Sequence, residues 1–468
     1  MNKNKNWPFE DSEDIFGAVK KFEDMVRTHV YRFFDVHEFE DIIDYYLDNE
    51  NFGLAAKAAD YAMGMYPSST SIQQRICEIL LDKGQPVKAM DILCRLIKIE
   101  PNNPDLLILK GDALTMTGRV KDAQQAYNKA FILSDKEEQE TIAFHIGISL
   151  EKAGMYNAAL RYLKKAHLIN PSNYAVYYDM AFCYDKIGMP DKCIEYYNLY
   201  IDEDPFSENV WYNLGIAYGT VEQYESAIQA YDYAISLNEH YSSALFNKGN
   251  LLAYLEKYEE SISVYEDFIL LEPYNTQAYC YMAESFENLG DNTKAMDSYR
   301  KAIAINKECA DAWLGMGVIY RNLNKYKLSI SHINKALSIE PDNSLYLYTL
   351  GLVYNYFLNP VKAIDALKLS LKHNPTDLET ISALLEAYIK VRDKKNARAT
   401  LDMFIGLDSD NELKYYMEAA YYFMFDKAEK GYIALKKGML LHSEKKDVIF
   451  RFYPFANGDP RITKILLL

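Results

Sequence analysis

Cysteines, histidines and carboxylates are the residues with which this chain could do chemistry, so their spacing is the first question. The six cysteines are Cys77, Cys94, Cys183, Cys193, Cys280 and Cys309. None forms a C-x-x-C pair, and no histidine pair completes a zinc pattern. They read as small buried residues of a reducing compartment. His29 and His37 stand two helical turns apart with no third ligand, so no metal site is expected. Asp408, Asp410 and Glu412 alternate like a calcium loop, but the glycine and the distal bidentate glutamate are missing, which makes the stretch a turn. Gly315-Met316-Gly317 superficially suggests a phosphate loop. No G-x-x-x-x-G-K-[ST] is present, and this pair reads as packing glycines within a helix. No nucleophile stands beside a base. Neither an enzyme nor a cofactor is expected. The unusual residue is tyrosine, at 41 copies in 468 residues. Its chemistry is contact rather than catalysis.

The bulk numbers narrow the partners. Formal charge is −16 and the isoelectric point is near 5.1. Phosphate backbones need a cationic surface, so nucleic acid is excluded as the main partner. No run approaches the 18 apolar residues of a membrane span. The opening M-N-K-N-K-N-W-P-F-E-D lacks an apolar stretch of the secretory kind, and the expected address is the cytoplasm.

What could position an aromatic contact surface is legible in Trp211–Ala234. Trp211, Leu214, Gly215 and Tyr218 fall at offsets of a single helical face. Ala227, Tyr231 and Ala234 repeat that logic on a second helix. Val221-Glu222-Gln223 between them can only be a turn. The unit is a helix hairpin with small residues where the helices cross. It recurs every 34 residues. Units start at Val36, Thr70, Pro104, Glu140, Tyr174, Glu208, Ser242, Thr276, Ala310, Ser344, Leu378 and Glu412, with a slip of two residues before Glu140.

Four positions carry the recurrence. Position 20 is small throughout, as at Ala55, Ala159, Ala227, Ser261 and Gly431. Position 8 is glycine or alanine in most units, as at Gly111, Gly147, Gly215, Gly249, Gly317 and Gly351. Proline at position 32 ends the second helix, as at Pro67, Pro101, Pro171, Pro205, Pro273, Pro341 and Pro375. Position 15 holds glycine after the first helix at Gly84, Gly118, Gly154, Gly188 and Gly290, where a positive φ is expected. Elsewhere Glu222 or Asn324 fills that slot.

This pattern resembles the tetratricopeptide repeat family, whose signature places W, L, G and Y on the first helix and A, F and P on the second. The resemblance implies an all-α fold: a right-handed α-solenoid of tandem antiparallel helix hairpins with capping helices at both ends. About twelve repeats are expected over residues 36–445. Residues 1–35 form a tail and an amphipathic cap over Asp14–Phe34. Ile15, Val19, Phe22, Val26, Val30 and Phe33 make its apolar face, and Asp11 or Ser12 its N-cap. Residues 446–468 form a terminal cap, with Asp459-Pro460 opening a short helix. Its apolar end, Leu466-Leu467-Leu468, reads as a lid on the last repeat or as a segment for self-association, which leaves a homo-oligomer open.

The resemblance further implies that first helices line a concave groove, chiefly through positions 2, 5, 9 and 12 or 13. Those positions hold Phe144 and Ile148, then Tyr178, Phe182 and Asp185, then Tyr212 with Asn213 adjacent. Further on they hold Phe246, Asn250 and Tyr254 with Asn247 beside them, Glu284 and Glu287, Arg321, Tyr348 and Asn355. In tandem pairs such as Tyr177-Tyr178 and Trp211-Tyr212 the first ring is expected in the core and the second in the groove. Rings give contact area at small entropic cost, and amides can bond a ligand backbone. Position 5 is never lysine or arginine in the clearest units, so a clamp for a terminal carboxylate is not expected. The carboxylates Asp179, Asp185, Glu284 and Glu287 favour a protein or peptide partner with apolar and some basic residues. The function expected is a scaffold or adaptor. The alternatives are a self-assembling spacer and, further off, a non-catalytic subunit of an enzyme complex.

Overall fold

The computed structural model describes residues 9–357, 359–408, 411–425 and 427–467, with side chains from residue 15 onward. Asp410 and Leu468 therefore lie outside the described residues. Among the described residues every regular element is helical. First helices begin at Val36, Thr70, Pro104, Glu208, Ser242, Thr276, Ala310, Ser344 and Leu378, as the sequence frame places them. Those of the Glu140, Tyr174 and Glu412 repeats begin at Gln139, Ala175 and Lys414. The two-residue slip falls in the connection between the helices Val120–Leu133 and Gln139–Lys152. The chain divides into two compact units, Met1–Glu239 and His240–Leu468.

Within both units the same three devices build the hairpin. The first is close approach at position 8. A Cβ on Gly111 would meet the Tyr127 ring at 2.2 Å, one on Gly215 the Tyr231 ring at 2.6 Å, and one on Gly351 the Leu367 side chain at 2.5 Å. Each partner sits sixteen residues on, on the facing helix, so the glycine is small because a large side chain lies over it. Gly315 does the same across a repeat boundary, where Tyr299 would lie 2.1 Å from its Cβ. That confirms the packing reading of Gly315-Met316-Gly317. Where position 20 is serine, its hydroxyl satisfies position 8: Ser261 donates to the Gly249 carbonyl at 2.9 Å and Ser329 to that of Gly317 at 2.8 Å.

The second device joins repeat to repeat. The Trp211 indole donates to the Pro205 carbonyl at 2.9 Å, and the Trp313 indole to the Lys307 carbonyl at 3.0 Å. Position 4 is thus a clasp on the preceding turn. Trp211 stays half-exposed and stacks on Tyr233 at 4.4 Å, where the sequence pattern places it in the core.

The third is the left-handed residue between the helices. Gly84, Gly118, Gly154, Gly188 and Gly290 have φ of 69, 74, 74, 74 and 79°. Glu50, Glu222, Glu256, Asn324 and Arg392 occupy the same slot at 54, 61, 58, 58 and 58°. The turn requires this conformation whatever the residue, because the second helix must double back at once.

The N-terminal cap differs from the sequence expectation. Its helix runs Phe9–Thr28, so Asp11 and Ser12 lie inside it rather than at its N-cap. His29 takes φ 54° and ends it. Val30 and Phe33 are exposed in the connector beyond. Phe34 is buried instead, against Phe22 and Phe39 at 6.2 and 5.2 Å, and the Tyr66 hydroxyl donates to its carbonyl at 2.9 Å. The three-and-four spacing of apolar residues continues past the point where the backbone turns, and spacing alone cannot show that.

The C-terminal segment closes the second unit. Val448–Phe452 packs on the helices Leu378–Lys390 and Lys414–Met424, burying Ile449 and Phe452. Asp459 caps Pro460–Leu466 as expected, accepting from the Arg461 and Ile462 amides, and it also accepts the Tyr432 hydroxyl at 2.6 Å. Ile462, Ile465 and Leu466 are buried on the last hairpin, while Phe455 and Leu467 stay exposed.

The left-handed slot gives a direct test. Nothing lies within 4 Å of a Cβ built on Gly84, Gly118, Gly154, Gly188 or Gly290, so only backbone strain distinguishes residues there. Glu222→Gly and Glu256→Gly are expected to stabilise by about 0.5–1 kcal/mol each, the strain relieved less the entropy glycine adds to the unfolded chain. Gly188→Ala is expected to destabilise by a similar amount. Thermal melts of the three variants check the signs.

Candidate partner-binding face

The first helices of successive hairpins place their groove positions side by side within each unit. In the first unit Phe144 and Ile148 are half-buried against the core rather than standing free. Tyr178 lies 5.9 Å from Tyr197 and 6.3 Å from Tyr200, and Tyr212 lies 6.0 Å from Tyr231. Each ring at position 5 thus leans on its own second helix and offers solvent only one side. Asn213 donates its amide to the Tyr178 hydroxyl at 3.2 Å, joining neighbouring repeats. Phe182 meets Tyr156 edge-on at 6.2 Å and carries the Lys186 ammonium 4.9 Å above its ring. Lys186 also pairs with Asp185 at 2.9 Å.

Two carboxyls of this face have unusual protonation. Asp179 is 6% exposed, and burial with the nearby Glu151 pushes its carboxyl up to about 8. Glu151 is pushed up to about 7 by burial, against a thiol hydrogen bond from Cys183 at 3.7 Å. Asp179 is therefore largely neutral near pH 7 and does not present the negative charge expected of it. Glu151 fills position 12, and its repeat's own spacing marks it as a groove residue absent from the sequence expectation.

The second unit holds an open cavity of about 500 Å³ between the helices Ser242–Tyr254 and Thr276–Asn288. Tyr254, Tyr258, Tyr265 and Tyr281 line it, with Asn250, Glu284, Ser285 and Asn288. Tyr254 is 69% exposed at the rim. Tyr265 is buried and donates its hydroxyl to Asn250 at 2.6 Å, which fixes the amide at the wall. Tyr281 lies 6.3 Å from Tyr265 and 5.9 Å from Phe246, and its hydroxyl accepts from Gln277 at 2.7 Å. The Glu284 side chain reaches solvent, yet the protein walls around it, Glu287 and Asp311 push its carboxyl up to about 7. Glu287 accepts the Tyr299 hydroxyl at 2.6 Å. Phe246, Asn250, Tyr254 and Glu284 were legible as groove positions. Tyr258 and Tyr265 were not, because they come from the second helix. Their spacing of seven on one helical face was the available signal.

The remaining expected residues scatter. Asn247 is half-buried beside Phe246. Arg321 bonds its neighbour Asn322 at 3.2–3.3 Å, and its charge offsets only part of the burial that pushes the Glu287 carboxyl up. Tyr348 is half-buried, its hydroxyl pushed up to about 12 by burial and by Glu379. Asn355 is 2% exposed, so it is a packing residue and not a groove residue. Its side-chain amide donates to the Ala383 carbonyl at 3.0 Å, and its backbone carbonyl accepts from Lys390 at 2.9 Å. The next first helix, Leu378–Lys390, covers it; on that helix Arg451 of the C-terminal segment pairs with Glu386, at position 9, at 2.8 Å, and Glu386 also holds Lys390 at 2.7 Å. The chain thus covers this stretch of the face itself.

One further grouping was not visible in the sequence. Single ligand atoms of Glu412, His442 and Glu444 lie within 4.8 Å of one another. Lys445 stands 3.7 Å from Glu412 and supplies counter-charge there.

Tandem hairpins, each packed on the next, define a helical-repeat protein. Models described as tetratricopeptide repeat match residues 80–131 and 150–214, 208–241 and 310–343, and 242–275 and 276–309. The chain belongs to the tetratricopeptide repeat family, and with it to protein-interaction scaffolds in general. Comparison with curated proteins gives no match. Among solved structures, MamA is 27% identical over 37% of this chain and 95% of its own, with a TM-score of 0.36. A chain of the APC/C hetero-tetramer Cut9–Hcn1 is 15% identical over 90% and 93%, at 0.41. PilF of Pseudomonas aeruginosa is 17% identical over 47% and 97%, at 0.40. No helix among the described residues is long and apolar enough to cross a membrane.

The buried carboxyls make stability depend on pH in a defined direction. With folded values about 8 and 7 against about 4 in the unfolded chain, the folded state binds more protons between those limits. Stability therefore falls as pH rises from about 4 to 8. Asp179→Asn is expected to flatten that slope and to raise the melting temperature at pH 8 relative to the parent. Melts at pH 5 and pH 8 for both chains check it.

Proposed function

We propose that this protein is an adaptor that holds a segment of a partner protein on the face formed by its first helices. In the second unit a lysine or arginine of that segment seats in the tyrosine-walled cavity. The observation that carries this reading is the cavity itself. It has a volume of about 500 Å³, four tyrosines and two asparagines in its wall, and a carboxyl beside them. Tyrosine faces attract a cation, amides bond a peptide backbone, and Glu284 supplies a counter-charge. An acidic chain with formal charge −16 favours such a ligand at longer range as well. The chain's own C-terminal segment illustrates the mode: Arg451, flanked by Phe450 and Phe452, pairs with Glu386 at a groove position.

A random displayed peptide library serves as the ligand source, so the partner itself is not required. Peptides selected from it on the full chain are expected to share a basic residue beside apolar or aromatic ones. Tyr281→Ala and Glu284→Gln are each expected to weaken the selected peptides about tenfold, the loss of one cation contact. Affinity is expected to rise from pH 6 to pH 8 as Glu284, poised at about 7, ionises, and to lose that rise in Glu284→Gln. Selected peptides without a basic residue, or equal affinity for the parent and both folded variants, would overturn the assignment.

A further inference from the structure

Two of the six cysteines, read from the sequence as small buried residues, meet in the second unit. The Cys280 and Cys309 sulfurs lie 3.6 Å apart, although the residues are 29 positions apart in the chain. Their surroundings differ. Cys280 is inside the helix Thr276–Asn288 and is 3% exposed. Cys309 is half-buried and is the N-cap residue of Ala310–Asn322, where free backbone amides and the helix dipole favour an anion.

We infer that Cys280 and Cys309 form a dithiol that a hydroperoxide oxidises to a disulfide, tying the first helix of one repeat to the start of the next. Cys309 is the attacking sulfur. The Cys280 thiol beside it draws its pKa down. Cys280 is the resolving sulfur. Its hydrogen bond to Cys309, its burial, and the carboxylates Asp311 and Glu284 raise its pKa, so it keeps its proton and donates it. Cys77, Cys183 and Cys193 are buried and pushed up with no second thiol beside them, and Cys94 is exposed and alone.

The chemistry balances. The Cys309 thiolate attacks one peroxide oxygen, the O–O bond breaks, and the departing oxygen takes a proton and leaves as water or an alcohol. Cys309 is then a sulfenic acid. The Cys280 sulfur attacks the Cys309 sulfur, the S–O bond breaks, and the leaving hydroxide takes the Cys280 proton as water. Two thiols lose two electrons to one O–O bond. The sulfurs need close by only about 1.5 Å to reach bonding distance. Cys309 lies in a turn, between the helix ending at Ile305 and the one starting at Ala310, so the backbone there can supply that movement. Oxidation would fix the wall next to the tyrosine cavity, because Cys280 directly precedes Tyr281.

The experiment uses the full-length chain, with Cys94→Ser to prevent intermolecular disulfides, treated with hydrogen peroxide. Alkylation under denaturing conditions and mass spectrometry follow each cysteine. The expected result is a mass loss of about two daltons and protection of Cys280 and Cys309 together. A cross-linked peptide pair should contain both residues, and a thiol reductant should restore the reduced form. Cys280→Ser should stop at a dimedone-reactive sulfenic acid on Cys309, and Cys309→Ser should leave Cys280 reduced at the same dose. Full alkylation of both residues in the treated parent would overturn the inference. So would oxidation of Cys280 at an unchanged rate in Cys309→Ser.

Discussion

Where the two helices of a hairpin cross at a position-8 glycine, a ring or branched side chain occupies the space that a Cβ would take. That close approach sets the distance between the helices, and the rest of the architecture depends on it. With Tyr231 lying on Gly215 and Tyr265 on Gly249, the second helix presents a large buried side chain toward the first. That side chain in turn becomes the floor on which the position-5 ring rests, as Tyr212 rests on Tyr231 and Phe246 on Tyr265. The groove face is therefore built outward from the crossing point, layer on layer. A hairpin alone leaves much of this surface in water, which is why the stabilisation belongs to the stack.

This layering explains why the aromatic surplus divides as it does. A ring at position 5 with a tyrosine beneath it gains contact on one side whether or not a ligand arrives on the other. The rings of Tyr178 and Tyr212 thus stabilise the fold and stay half-available, and their presence alone does not mark a site. The second unit differs because tyrosines from both helices diverge around an opening, with Tyr258 and Tyr265 forming one wall and Tyr281 and Glu284 the other.

The fold was legible because each repeat position answers one physical demand, and that demand recurs. Proline and glycine mark the turns, and small residues mark the crossings. The left-handed slot shows the limit of residue type as a guide: Glu50, Glu222, Glu256 and Arg392 adopt a conformation that the sequence advertises only where glycine stands. Only the frame reveals them. The site was less legible, because periodicity assigns a face and not an environment. Asn355 and Glu284 hold comparable groove positions. One is sealed against the next first helix, and the other faces an opening. Asp179 sits next to Tyr178 in sequence, but its carboxyl faces burial and a second carboxyl, which no spacing rule announces.

The acidity of this face follows from the same enclosure. Asp179, Glu151 and Glu284 all have raised values, and desolvation is the first cause in each case. Asp179 and Glu151, drawn into the wall, cannot spread their charge freely into water, while Glu284 reaches water on one side and is repelled by Glu287 and Asp311. An empty face therefore holds part of its negative charge in reserve, as protons. A cation entering the Glu284 cavity stabilises the ionised form and displaces that proton, whereas a neutral side chain has no such exchange to drive it. On the proposed reading, the enclosure that raises the unliganded carboxyl is what sets a preference for cationic ligands.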